Sequence, residues 1–521
     1  MKRFERRRFL QALGALGVCA NFPPVRAQLL ENPRFTADPF SLGIASGYPL
    51  PGGFVLWTRL APVPAAPGGG MPASVVPVRW EVSRDEKFAQ IAASGTAYAT
   101  PDWAHSVHVE VNGLEPARWY WYRFVCGGAA SPIGRTRTAP AVSSKPDNLR
   151  FAFASCQHYE QGYFGAYRYI ANDDLDLVVF LGDYIYESSR ARGQVRRHET
   201  AEPHTLDDYR ARHALYKSDA DLRAAHSTLP WICTWDDHEV ENDYAADRSE
   251  NLDAPEWFLA RRAAAFKAYY EHMPLRREMM PFGPRARIFA RLGFGNLATF
   301  HLLDARQYRS PQACPRPGRG GSNTVDVADC GTLAEPSRTM LGATQEKWLE
   351  AGLASSRAGW NILAQQTTMA RLDQKPGPGQ RSWTDGWDGY PAARRKLVDT
   401  LAESKAANPV IIGGDVHMFL ACDIKRDFDD PASTTVASEF VGGGITSQHS
   451  FSQEALKSLL PENPHVKLVD GRFRGYARVE VTQARMTAEL RGMADVSKRN
   501  SDCGTFASFV VEAGNPGVQK A

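Results

Sequence analysis

Five apolar runs in this 521-residue chain each end in a side chain able to bind a hard or borderline cation. They are NLRFAFASC at Cys156, LDLVVFLGD at Asp183, WICTWDDHE at Asp237 and His238, FHLLDAR at Asp304, and NPVIIGGDVH at Asp415 and His417. Runs of Val, Ile, Leu and Phe with almost no polar alternation describe strands buried on both faces, as in an α/β sheet. In such sheets ligands bind beyond the carboxyl ends of the strands. Carboxylates, imidazoles and a thiol delivered repeatedly to one edge are the sequence image of a metal centre.

Residues 1–27 stand apart from any fold. Arg6 and Arg7, followed by Arg8, Phe9 and Leu10, form a twin-arginine pattern, and Val25-Arg26-Ala27 offers small residues at cleavage-type positions. The apolar stretch between them is too short to span a bilayer. The expectation is a twin-arginine signal peptide that hands a folded, metal-loaded protein to the twin-arginine export machinery. The product is periplasmic or secreted and has no membrane span. Removing the leader takes away six basic side chains and Glu5, so the formal charge falls from +3 to −2. A nearly neutral chain without a basic stripe excludes a specific nucleic-acid-binding domain. Seven cysteines remain, an odd number, in a compartment that permits disulfides. Cys156 stands at a ligand position and is withdrawn from pairing. Cys314 and Cys330 flank a Gly/Pro/Asn-rich loop and are expected to bridge it, whereas Cys126, Cys233, Cys422 and Cys503 cannot be paired from sequence.

The length argues for two domains. Residues 28–143 are rich in Pro and Gly and carry short alternating strands such as VPVRWEVS, SVHVEVNGL and ARWYWYRFV, a pattern of the immunoglobulin or fibronectin type of β-sandwich. TAPAVSSKPDN is the hinge. Across residues 148–495 helices alternate with the buried strands, which predicts a sheet covered by helices. One of those helices, LGATQEKWLEAGLASSRA, has Thr344 as its expected N-cap. The aperiodic loop from Ser310 to Arg338 is a lid or an insertion, and residues 496–521 form a closing segment.

The strand ends carry the chemistry. GDYIY puts Asp183 and Tyr186 within reach of one metal, and an aspartate there can bridge two cations roughly 3.5–4 Å apart. GDVH sets Asp415 and His417 on one face of an extended segment. In WDDHE, adjacent carboxylates repel unless a cation neutralises at least one of them. With Asp237 as ligand, Asp236 points the other way and is left for a structural hydrogen bond. His238 is placed to donate a proton or a hydrogen bond to a developing negative oxygen, with Asn242 close by. His158, near Cys156, is a further candidate. Arg306 is a cationic fork for phosphate oxygens, with a salt bridge to Asp304 or another acid as a compatible alternative; Arg309 is a lesser candidate.

Taken in order, ASCQ, GDYIY, WDDHEVEN, LLDARQYR, GDVH and EFVGGGITS make the chain resemble the alkaline phosphatase D (PhoD-like) family over nearly its whole length. The resemblance implies a metallophosphoesterase related to the calcineurin-like enzymes and purple acid phosphatases. Its fold would be a four-layer αββα sandwich, preceded by the immunoglobulin- or fibronectin-like domain. It implies Cys156, Asp183, Tyr186 and His417 around one metal, and Asp183, Asp237 and Asp415 around a second. The first set, strongly anionic, suits Fe(3+); the second, rich in aspartate, suits Ca(2+). Relative to purple acid phosphatases, Cys156 replaces an aspartate, GDVH replaces Gly-His-x-His, and Gln365 or Gln366 stands where a further histidine is expected. Asn242-Asp243 falls where two asparagines are expected. The implied activity is hydrolysis of small-molecule phosphate mono- and diesters by metal-activated water or oxide, with His238, Arg306 and Asn242 stabilising charge. A non-enzymatic, exported, metal-stabilised binding protein is the alternative. A non-haem iron oxygenase is disfavoured by the lack of a two-histidine, one-carboxylate pattern.

Overall fold

The computed structural model describes residues 28–190 and 192–521, so the signal-peptide reading of residues 1–27 lies outside the described residues. The apolar runs form parallel strands. Asn148–Ala154, Leu177–Leu181 and Pro230–Thr234 lie side by side, with Phe151 opposite Leu177 and Val178 opposite Trp231. Trp360–Ala364 and Pro409–Gly413 pair in the same way in a second sheet, between Ala298–Leu302 and Thr435–Val441.

Burial on both faces explains the missing alternation. In the second sheet Ile362, Ala364, Val410 and Ile412 join the large core that also holds Phe151 and Val179. Their neighbours Leu363 and Ile411 turn the other way, onto Leu349 and Leu353 of helix Gly342–Ser355 and Leu397, Val398 and Leu401 of helix Pro391–Glu403. The Phe151 and Phe300 rings meet edge-on, 5.2 Å apart, one from each sheet. Each such side chain, fully buried, contributes roughly 1.5–3 kcal/mol.

The first sheet has ten strands and the second seven. The N-terminal part is β-rich: a five-stranded sheet built on Val76–Ser83 and Trp119–Cys126 buries Tyr120, Tyr122, Phe124 and Cys126. Its strands Ile44–Leu50, Gly53–Arg59 and Ser106–Val111 extend the ten-stranded sheet instead, with Ser46 opposite Pro230. At the far edge Cys503–Glu512 and Asn515–Lys520 complete the same sheet. One hydrogen-bonded sheet therefore includes strands from either side of residues 143 and 495.

Helix Gly342–Ser355 begins ahead of Thr344, and its N-cap is Leu341. The Thr339 hydroxyl, rather than Thr344, receives the free Gly342 N–H (2.8 Å), so the helix starts one turn earlier than the cap pattern predicts. Cys314 and Cys330 form a disulfide, with Cα atoms 6.0 Å apart, that closes the loop following Ser310. Cys126, Cys156, Cys233, Cys422 and Cys503 are free thiols. No helix among the described residues is long and apolar enough to cross a membrane.

Candidate metal centre

The loops leaving the parallel strands are drawn together by close backbone approach. Gly182 has φ +110°, and a Cβ there would lie 2.5 Å from Asp236 Cβ, so only glycine lets the two strand ends meet. Beyond these turns Cys156, Asp183, Asp415 and His417 have φ of 57°, 59°, 67° and 56°. Residues with side chains seldom take left-handed backbone, and those that do concentrate at functional sites.

Their donor atoms converge. Those of Cys156, Asp183 and His417 lie within 4.8 Å of one another, as do those of Asp183, Asp237 and His238, and those of Asp236, Asp237 and Asp415. Asp183 and Asp237 each belong to two of these groups, which makes one continuous cluster. The Tyr186 hydroxyl donates to Asp183 Oδ2 (2.7 Å), lies 3.1 Å from His417 Nε2 and accepts from Ser447 Oγ (2.7 Å). The Asp415 N–H points at Cys156 Sγ (3.3 Å).

Arg306 is fully enclosed, at 0% exposure. Its Nε donates to Asp236, Nη1 donates to Asp385 Oδ1 (2.9 Å), and Nη2 lies 2.6 Å from Asp385 Oδ2 and 3.5 Å from Asp237 Oδ1. Asp304 caps its own loop, accepting the Arg306 and Gln307 backbone N–H groups (both 3.0 Å). Of the two uses open to the fork, the structure displays the ion pair, and with Asp236 and Asp385 rather than Asp304. Arg309 joins the same Asp385 carboxylate at 2.8 Å. His238 Nδ1 sits 2.7 Å from Glu187 Oε2, and its ring packs 4.0 Å from that of Tyr186. The Asn242 backbone N–H donates to Glu187 Oε1 (3.0 Å), while its side chain reaches Glu250. Asp243 faces the disulfide loop, where it accepts the Ser322 N–H (2.9 Å).

The family model of the PhoD-like phosphatase matches residues 151–490, and that of its N-terminal domain residues 26–140. The chain belongs to the PhoD-like phosphatase family. It is 44% identical to alkaline phosphatase D of Bacillus subtilis (strain 168) over 99% of this chain and 89% of that protein. It also superposes on a solved structure of PhoD with a TM-score of 0.90 and 45% identity, covering 94% of this chain and 93% of that one. Membership makes the protein a phosphoesterase with candidate metal-binding groups.

In this PhoD-like phosphatase the cluster has the electrostatics of a cation site. Burial, then the charge of Asp183, pushes the Cys156 thiol and the Tyr186 phenol well above their ordinary values. Burial likewise raises Asp183, and lifts Asp415 to about 7. Asp237 is the exception: burial opposes ionisation, but Arg306 and His238 hold it below the usual carboxylate range. For His238 burial disfavours the charge, yet Glu187, Asp237 and Asp183 raise it well above the ordinary histidine value. Among the described residues, the buried Asp183 Oδ1 and Asp237 Oδ1 accept no hydrogen bond. A buried carboxylate oxygen without a donor is costly, and a multivalent ion reverses both the cost and the local acidity. The donor set therefore fits metal.

Three further acids, to which the sequence assigned no role, shape the site. Glu187 directly follows Tyr186, and Glu239 closes WDDHE. The latter accepts N–H groups from Asp183 (3.1 Å), Tyr184 (2.7 Å) and Asp236 (2.8 Å), locking two strand ends together. Both stand inside the motifs, where an acid beside a ligand was the available signal. Asp385 belongs to TDGWDG, away from any apolar run, and offers none. Gln365 and Gln366 serve as ties between loops: Gln366 Nε2 donates to the Trp235 and Leu303 carbonyls (2.8 and 2.9 Å), and Gln365 Oε1 accepts from Trp387 (3.1 Å). His158 packs its ring 4.4 Å from that of Tyr186, with Nδ1 accepting the Glu160 N–H (3.2 Å).

Proposed function

We propose that this phosphatase is an exported, metal-dependent hydrolase of phosphate mono- and diesters that leaves by the twin-arginine route for the periplasm or medium. Cys156, Asp183, Tyr186 and His417 hold Fe(3+); Asp183, Asp237 and Asp415 hold Ca(2+). When bound, the ions neutralise phosphoryl oxygens and activate water. His238 turns Nε2, the nitrogen opposite Glu187, toward the ester and hydrogen-bonds the leaving oxygen, and Asn242 lines the approach. Arg306 acts through the acids it grips, keeping Asp236 and Asp237 in place rather than touching the ester. We read the scaffold as the four-layer αββα sandwich preceded by an immunoglobulin- or fibronectin-like domain. That reading is supported by the Phe151–Phe300 contact between sheets and by the helices packed outside the second one.

The observation that carries the proposal is the meeting of thiol, phenol, imidazole and carboxylate oxygens that accept no hydrogen bond within one buried cluster. The test is elemental analysis of the purified protein. It is followed by hydrolysis of p-nitrophenyl phosphate and bis(p-nitrophenyl) phosphate before chelation, after chelation and after reloading with each ion. Iron and calcium bound together, with activity lost on chelation and regained only with both, is the expected result. A protein that binds the ions yet hydrolyses neither ester would return the metal-stabilised, non-enzymatic reading, and a folded protein that binds neither ion would overturn both.

A further inference from the structure

We infer that Glu187 is the positioning residue that aims His238 at the leaving group and sets Asn242 beside it; this rests on the phosphoesterase reading above. The Glu187 carboxylate is buried, and each of its oxygens is committed: Oε2 to His238 Nδ1 (2.7 Å) and Oε1 to the Asn242 N–H (3.0 Å). Its backbone is held as well, since Arg212 Nη1 donates to the Glu187 carbonyl at 2.8 Å and Arg212 is itself wholly buried. Glu187 follows Tyr186 directly, so one turn presents the phenol to His417 and the carboxylate to His238.

The imidazole thus has one position. Nδ1 is tied to Glu187 and the ring lies on Tyr186, 4.0 Å between centroids. His238 has a donor atom within 4.8 Å of those of Asp183 and Asp237, and with Nδ1 taken, Nε2 is the nitrogen free for the substrate side. A carboxylate opposite one ring nitrogen fixes which nitrogen faces the reaction. Glutamine cannot replace Glu187 silently: with its oxygen kept on the Asn242 N–H, its amide N–H would meet His238 Nδ1, which must then act as an acceptor, and the imidazole loses the carboxylate charge beside it.

The experiment compares wild type, Glu187→Gln, Glu187→Asp, His238→Ala and the Glu187→Gln/His238→Ala double variant, with metal content measured for each. Two monoesters are used, p-nitrophenyl phosphate with a good leaving group and an alkyl phosphate with a poor one. A residue that positions a hydrogen-bond donor at the leaving oxygen matters most when that oxygen is basic. Glu187→Gln is expected to lower kcat by about 100-fold on the alkyl ester and by about threefold on the nitrophenyl ester, with KM little changed. Metal content stays at the wild-type level, Glu187→Asp regains part of the loss, and Glu187→Gln adds nothing in the His238→Ala background. Equal losses on both esters, additivity with His238→Ala, or a loss of metal that tracks the loss of activity would each overturn the positioning role. A metal-loaded wild type inert on both esters would instead sink the phosphoesterase reading, and this inference with it.

Discussion

Two buried clusters of titratable side chains in this molecule meet the same difficulty in opposite ways. At the metal edge the crowded groups are acids. Beneath the N-terminal strands they are bases: Arg59, His213, Lys217, His226 and His272 are all buried. Burial lowers Arg59 to about 10 and Lys217 to about 7, and takes the three histidines well below their ordinary value. Several of the bases then rest on flat ring faces. His226 stacks on Trp231 at 3.9 Å, His213 on His272 at 4.9 Å, and Lys217 Nζ lies 4.4 Å from the Trp57 ring. A buried imidazole or amine can shed its proton and remain a good packing partner. The acids have no aromatic shelf of that kind; strained backbone aims their oxygens and sulfur at a common point. The buried histidines and Lys217 are relieved by losing charge, whereas the acidic cluster has the donor set that an added positive charge would relieve.

The largest effect that can break this contrast comes from the bridging carboxylate. Asp183→Asn should cut turnover on the order of 1,000-fold or more, since a metal supplies several kcal/mol of transition-state charge stabilisation. The variant stays soluble and binds less metal. Wild-type turnover in that variant would end the bridging assignment. Next comes Asp385→Asn, which strips Arg306 and Arg309 of a shared buried partner and should cost roughly 3–5 kcal/mol of stability by denaturant unfolding. Unchanged stability would mean that Asp236 alone satisfies the fork.

A further effect sharpens the basic side. Lys217 is lowered in the fold to about 7 from its ordinary 10.5, so between those values the unfolded chain binds more protons. Wild-type stability therefore rises with pH across that window. Lys217→Met should melt higher than wild type near pH 7, with the gap closing toward about pH 10.5. Parallel Tm-against-pH curves would show that Lys217 carries no such penalty.

The strands were legible because burial on both faces leaves uninterrupted apolar runs, and the convergence of Cys156, Asp183, Asp237, Asp415 and His417 was legible because they stand where those runs stop. Glu187 and Glu239 were in view but had no assigned task, since a second acid beside a ligand looks the same whether it binds metal or orients a neighbour. Asp385 could not be found at all: nothing local distinguishes it, and its importance comes from Arg306, 79 residues away. The hinge was visible as composition, yet the pairing of Ile44–Leu50 with Pro230–Thr234 carries the sheet across it.

The order of the strands' apolar runs and the donors at their ends belong to the sequence alone, because side-chain period and chain continuity are local properties. Which donors lie together, which carboxylate oxygens lack a hydrogen-bond donor, and the pairing of Arg306 with Asp236 and Asp385 were decided by tertiary structure. Charge and hydrogen-bond partnership depend on distance in space, and Arg306 reaches Asp236 across 70 positions of chain.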